Sequence, residues 1–237
     1  MELVEERVPG FEAFPFSIPA IRGLGKLALH PAVTFFIGEN GSGKSTLMEA
    51  IGVRMGFSEV GGDPALSFSR RSPDGGLHDY LRIYESRHRR TADRFFLRAE
   101  TVFELASGLD ERDRFDPSAR DWYGEESLHT RSHGEAFLAI VQNRLRRESL
   151  FLMDEPEAAL SPSRQLTLIK EMDWLVRSGC QFLIATHSPI LMAYPDAIIY
   201  QLDEEGIREV AYKDTEHYTV TKSFLDRPEA FLRHLVE

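Results

Sequence analysis

The stretch Val33-Thr-Phe-Phe-Ile37-Gly38-Glu39-Asn40-Gly41-Ser42-Gly43-Lys44-Ser45-Thr46 decides the fold. An uncharged β-branched and aromatic run reads as a buried strand, and the periodic segment Lys44–Met55 reads as a helix. Between them stands G-x-x-x-x-G-K-[ST], in the strand–turn–helix context that gives this pattern its meaning. The glycines let backbone N–H groups converge on a phosphate chain, and the helix N-terminus adds partial positive charge. Lys44 is expected to reach β- and γ-phosphates, Ser45 to offer its hydroxyl to Mg²⁺, and Thr46 to meet an outer phosphate oxygen.

Outward from this loop, further strand-like segments fall at Phe14–Ile21, Phe95–Ala99, Leu150–Met153, Phe182–Ala185 and Ala197–Leu202. Several are apolar on both faces, which suits a parallel sheet covered on two sides and joined by crossover helices. Helices are expected over His133–Arg147 and Pro162–Arg177, the latter with Leu166, Ile169 and Met172 on one stripe. Ser132 with Glu135 forms a capping box, and Ser161-Pro162 and Ser188-Pro189 can each open a helix. The fold class is therefore α/β, a phosphate-loop domain with a mainly parallel sheet. Residues 57–131, rich in Gly, Asp and Arg, read as a small helical and irregular insertion leading into the helix 132–147. Residues 1–237 thus make one domain.

Two strand ends carry chemistry. Leu150-Phe-Leu-Met153 runs into Asp154-Glu155, and strand ends of a parallel sheet open onto the ligand crevice. Asp154 is expected to hold Mg²⁺ through water. Glu155, one position on, is placed to polarise a water for in-line attack on the γ-phosphate. The next buried strand ends in Thr186-His187-Ser188. One crossover helix separates it from Asp154, so the two tips should lie side by side, and the His187 imidazole could donate to the γ-phosphate.

The order of phosphate loop, Arg131-Ser132-His133-Gly134-Glu135, Leu150–Glu155, Pro156–Ser161 and Thr186-His187-Ser188 resembles the ABC-type ATPase superfamily. More closely it is similar to the small soluble ATPase group related to the chromosome-maintenance and DNA-repair branch. The resemblance spans essentially the whole chain. It implies ATP and Mg²⁺ as ligands and a homodimer that sandwiches two ATP molecules. Ser132 and Gly134 match the signature serine and second glycine, which contact the γ-phosphate bound to the partner, and His187 matches the switch histidine. His133 and Glu135 depart from the commoner Gly and Gln, and Ser161 stands where Asp is usual in the D-loop. No Gln lies between Thr46 and Ser132, so the glutamine that touches Mg²⁺ has no match; Glu100 is the substitute expected. Phe14, Phe16 and Arg22 are the candidates beside adenine.

Twenty-eight basic and 38 acidic residues give a net charge of −10, which disfavours diffuse binding to nucleic acid. Any DNA contact would fall on the basic run Arg82, Arg87, His88, Arg89, Arg90, Arg94, Arg98. Cys180 is the single cysteine, the first ten residues lack a basic-then-apolar export pattern, and no apolar run approaches membrane-spanning length. A cytoplasmic protein is expected. Phe224, Leu225, Phe231, Leu232 and Leu235 read as core or as a dimer-facing helix. Three uses remain open: an ATPase working with DNA or a nuclease or other protein partner, a transporter's nucleotide-binding subunit, or an ATP-timed association switch.

Overall fold

A computed structural model describes residues 1–57, 75–85, 91–102, 105–107, 128–144 and 148–236. In chain order its elements are β1 (Glu2–Leu3), α1 (Pro19–Arg22), β2 (Val33–Gly38), α2 (Lys44–Arg54), β3 (Leu81–Arg82), β4 (Asp93–Arg98), α3 (His133–Arg144), β5 (Ser149–Asp154), α4 (Pro162–Arg177), β6 (Gln181–Ala185), β7 (Ile198–Asp203), β8 (Gly206–Glu209), α5 (Glu216–Asp226) and α6 (Pro228–Leu235). β4, β5, β6, β2, β7 and β8 form one sheet in that order, parallel except for the antiparallel β7–β8 pair. β1 and β3 make a separate antiparallel ribbon.

Strand alternation explains why both faces are covered. Phe35, Phe95, Phe151 and Phe182 share one core with Phe137 and Ile140 of α3 and Leu168 and Met172 of α4. Their neighbours Phe36, Phe96, Leu152 and Leu183 join the opposite core with Leu47 and Ile51 of α2 and Ile21 of α1. Each fully buried aromatic of this kind contributes about 2–3 kcal/mol through apolar area removed from water. Register then sets the site: Arg98 pairs with Asp154, and Asp154 with Ala185. The tips of β4, β5 and β6 therefore end at one level.

Four sequence expectations need correction. Phe14–Ile21 is not a strand but turns leading into α1. Pro15 and Pro19 lack ladder donors, and Pro19 takes the first helical position instead. On α4 the buried stripe is Gln165, Leu168, Met172 and Leu175, while Leu166 faces solvent at 60% exposure. Ser188-Pro189 opens only a turn and the short 3-10 segment Leu191–Ala193. The C-terminal apolar residues are not core: Leu225 and Leu235 are about 70% exposed, and Phe224 and Phe231 meet edge-on at 5.8 Å. Leu145, Arg146 and Arg147 at the end of the expected helix, the cluster 61–64, and most of 109–131 lie outside the described residues.

Candidate functional site

The phosphate loop is shaped by backbone that only glycine tolerates. Gly38, Gly41 and Gly43 all have positive φ, at 148°, 83° and 98°. A Cβ on Gly38 would stand 2.2 Å from the carbonyl oxygen of Leu202, so no side chain fits where β2 turns into the loop. Gly43 caps α2, and Lys44 begins it. The Lys44 ammonium is buried and donates to the carbonyl oxygens of Gly38, at 2.8 Å, and Glu39, at 3.0 Å. Burial draws its pKa down, against the carboxylates of Glu155 and Asp154, which favour the charge.

Ser45, one residue on, donates its hydroxyl to Asp154 Oδ1 at 3.2 Å. Burial pushes the Asp154 pKa up to about 6, opposed by Arg98. The Arg98 guanidinium ion-pairs with Glu49 at 2.5 Å, stands 4.0 Å from Asp154 and lies over the Phe96 ring. The donor set suits Mg²⁺, a hard cation that takes carboxylate and hydroxyl oxygens. The buried Asp154 carboxylate, under-compensated by its neighbours, is where a cation would relieve most of the burial cost. Glu100 is exposed in the turn after β4 and makes no hydrogen bond or ion pair among the described residues.

β6 lies between β5 and β2, so its tip joins the two halves of the pocket. Glu155 N–H donates to Ala185 O at 2.9 Å, and Thr186 N–H to Phe36 O at 3.1 Å. Glu155 adopts a left-handed conformation, φ 49° and ψ 51°, which a non-glycine residue holds at a cost of about 1–3 kcal/mol. Its carboxylate is partly exposed, 3.7 Å from His187 Nε2. Glu157 anchors the β6 tip from the other side, accepting from the Thr186 hydroxyl at 2.7 Å and the His187 N–H at 2.5 Å. A cleft of about 220 Å³ opens beside the loop, between Phe14 and Glu155 and over Asn40 and Lys44 to Thr46. Of the aromatic candidates, Phe14 lines this cleft at 56% exposure, whereas Phe16 is core and meets Tyr80 edge-on. Arg22 lies over the ring of Phe11.

Ser132 and Gly134 do not line that cleft. Ser132 donates to Glu135 Oε2 through its N–H at 2.9 Å and its hydroxyl at 2.6 Å. The N–H contact is one half of the expected capping box; the hydroxyl is engaged with the same carboxylate. Arg164 of α4 donates to Ser132 Oγ at 3.1 Å and to Glu135 Oε1 at 2.8 Å. A Cβ on Gly134 would approach the Ala159 carbonyl oxygen to 2.7 Å, so the 158–161 segment packs directly on this glycine.

Sequence reasoning misses three residues of this region. Arg98 reads as part of a surface basic run, yet it is buried at the β4 tip; its register opposite Asp154 is the available signal. Glu157 lies inside the Pro156–Ser161 segment with no role assigned to it. His217 Nε2 meets His187 Nδ1 at 3.1 Å, and a separation of 30 positions along the chain gives no hint of it. The remaining described arginines of the run are also committed: Arg82 pairs with Glu2, and Arg94 with Glu85 and the Met55 carbonyl. Residues 87–90 lie outside the described residues.

A protein-family model described as "AAA domain, putative AbiEii toxin, Type IV TA system" matches residues 135–193. The "Lipoprotein-releasing system ATP-binding protein LolD" of Chromohalobacter salexigens is 28% identical over 190 residues, 74% of this chain and 79% of that protein. The protein of the same description from Novosphingobium aromaticivorans is 28% identical over 208 residues, 81% of this chain and 91% of its own length. Among solved structures, cbiO1 from Clostridium perfringens, part of the ABC transporter complex cbiONQ, is 20% identical. It covers 90% of this chain and 91% of its own with a TM-score of 0.49. In the phosphate loop, the strand-end carboxylate pair and the strand-end histidine that lie together here, and in these sequence relatives, the chain resembles ABC-type ATPases.

Proposed function

We propose that the chain hydrolyses ATP to ADP and phosphate with Mg²⁺, and that two copies face each other so that Ser132 and Gly134 of each meet the nucleotide held by the other. One observation carries this reading. The loop, Ser45, Asp154, Glu155 and His187 converge within one chain, while Ser132 is exposed and neither it nor the buried Gly134 lines their cleft. A second copy is the natural source of the missing anion contacts.

In this reading the Gly38–Thr46 backbone N–H groups cradle the phosphates, and Lys44 exchanges two carbonyl partners for phosphate oxygens. Ser45 and Asp154 would hold Mg²⁺, with Glu100 in place of the absent glutamine, and the cation would supply neutralisation of phosphate charge. Glu155 accepts the proton of the attacking water as the bond to ADP breaks, and His187 donates toward the γ-phosphate. Phe14 offers the adenine a ring at the cleft edge. Catalysis is then mostly positioning and charge stabilisation, as expected for phosphoryl transfer.

The site would be tested by mixing two inactive variants. Lys44→Ala disables the loop and Ser132→Arg the opposing surface, and a mixed dimer restores one intact site. Recovered ATP hydrolysis on mixing is expected. A mixture as silent as its components would contradict the shared site while leaving ATP binding by one chain standing.

The output is proposed to be a protein partner, a nuclease or other DNA-acting protein in the cytoplasm. The exposed apolar residues of α5 and α6 support protein contact. The ion-paired state of Arg82, Arg94 and Arg98 removes support for a DNA patch built on them. Direct DNA contact would then be the partner's task. The LolD relatives favour a second reading, an ATP-binding subunit on a membrane partner. Among the described residues no helix is long and apolar enough to cross a membrane, so such a partner would supply the span. Co-purification with a membrane protein, against DNA-stimulated turnover of a reconstituted complex, separates the two.

A further inference from the structure

His217 sits in the first turn of α5, a helix with no fully buried residue, capped by the buried Thr215, whose hydroxyl accepts from Tyr218 N–H. Its Nε2 lies 3.1 Å from His187 Nδ1, with ring centroids 5.3 Å apart. The far nitrogen of His187, Nε2, faces Glu155 Oε1 at 3.7 Å. His187 Nε2 and the far nitrogen of His217, Nδ1, are both buried with no hydrogen-bond partner among the described residues. Burial lowers both imidazole pKa values, joined by Lys44 at His187 and by His187 itself at His217. Each ring at neutral pH is then uncharged, with one N–H and one lone pair.

Two arrangements satisfy the contact between the rings. If His187 Nδ1–H donates, its bare Nε2 lone pair faces the Glu155 carboxylate, and His217 keeps a buried N–H with nothing to receive it. Leaving a buried donor unpaired is unfavourable, and the opposed lone pairs add to that. If His217 Nε2–H donates instead, His187 carries its proton on Nε2, and a donor faces both Glu155 and the pocket. Each arrangement leaves one buried ring N–H without a hydrogen bond, but only this one turns that N–H toward a carboxylate, Glu155 Oε1 at 3.7 Å, and removes the opposed lone pairs.

We propose that His217 is a positioning residue whose Nε2–H holds His187 in the Nε2–H tautomer, so that a hydrogen-bond donor faces Glu155 and the γ-phosphate. The phosphate part rests on the ATP reading above; the tautomer does not. The decisive measurement is therefore in two parts. Nitrogen-15 NMR of the histidine rings in the nucleotide-free protein should show His187 protonated at Nε2 and bare at Nδ1. Protonation at Nδ1 overturns the proposal, whatever the enzyme does. In steady-state kinetics, His217→Leu should lower kcat for ATP about tenfold, the worth of one hydrogen bond, with KM within about twofold. His217→Gln, whose side-chain N–H can stand where Nε2–H stood, should recover most of the rate. Equal loss in both variants, or loss in neither, would contradict the role of the N–H. A wild-type protein that hydrolyses no ATP would overturn the functional reading and leave the NMR result to stand or fall by itself.

Discussion

The phosphate-loop end and the Ser132–Glu135 end of the molecule are both helix N-termini, yet they are built differently. At the loop, three positive-φ glycines, a buried Lys44 and the Ser45–Asp154 contact leave backbone N–H groups around a cleft that one chain already forms. At Ser132 the polar groups are exposed and engage one another, with Arg164 clasping both Ser132 and Glu135. The first end is finished by its own chain. The second is occupied by local partners that an incoming anion would have to displace, and it stands outside the cleft. In the proposed composite site, the first is the preassembled half and the second the waiting half.

The comparison can be broken at each end. The largest effect belongs to the finished half: Glu155→Gln keeps the carboxylate's shape without its basicity, and kcat should fall about a thousandfold while ATP binding survives. Titration calorimetry alongside turnover would expose a binding defect instead. Asp154 gives the next effect, through its raised pKa. An acid whose folded pKa lies above its ordinary 3.8 favours the protonated fold, so its stabilising contribution is present below about pH 4 and lost as pH rises through about 6. Wild type should lose about 3 kcal/mol relative to Asp154→Asn across that window, and Mg²⁺ should offset the loss near neutrality. Denaturant melts at about pH 3 and about pH 7, on either side of the window, would read this. At the waiting half, Ser132→Arg should reduce turnover about a hundredfold with ATP affinity of the single chain unchanged; weaker nucleotide binding would mean that Ser132 serves its own chain's pocket. Smallest is Arg82→Gln. Its pair with Glu2 is exposed, so melting should shift by less than about 1 kcal/mol and turnover not at all.

How much of this is legible in the sequence follows the same division. The loop can be read residue by residue because backbone geometry dictates its glycines and the strand and helix on either side confirm them. Asp154, Glu155 and His187 can be read because parallel strand ends share one edge of a sheet. Phe14–Ile21 misleads because its apolar residues suit a strand, while two prolines deny it the ladder. Leu166 falls on the wrong stripe because one-residue shifts rotate a helix face by about 100° and leave composition unchanged. Arg98 and His217 depend on register and on a long-range return of the chain, neither of which leaves a local signal. The apolar C-terminal residues are recognisable, but a run of apolar positions does not say whether it is covered.

The claim on which the account turns is that the waiting half belongs to a second copy. Sedimentation velocity of the Glu155→Gln protein, with and without ATP and Mg²⁺, tests it directly. The account predicts a monomer without nucleotide and a dimer with it, abolished by adding Ser132→Arg to the same chain. A Glu155→Gln protein that binds ATP and still sediments as a monomer would contradict it.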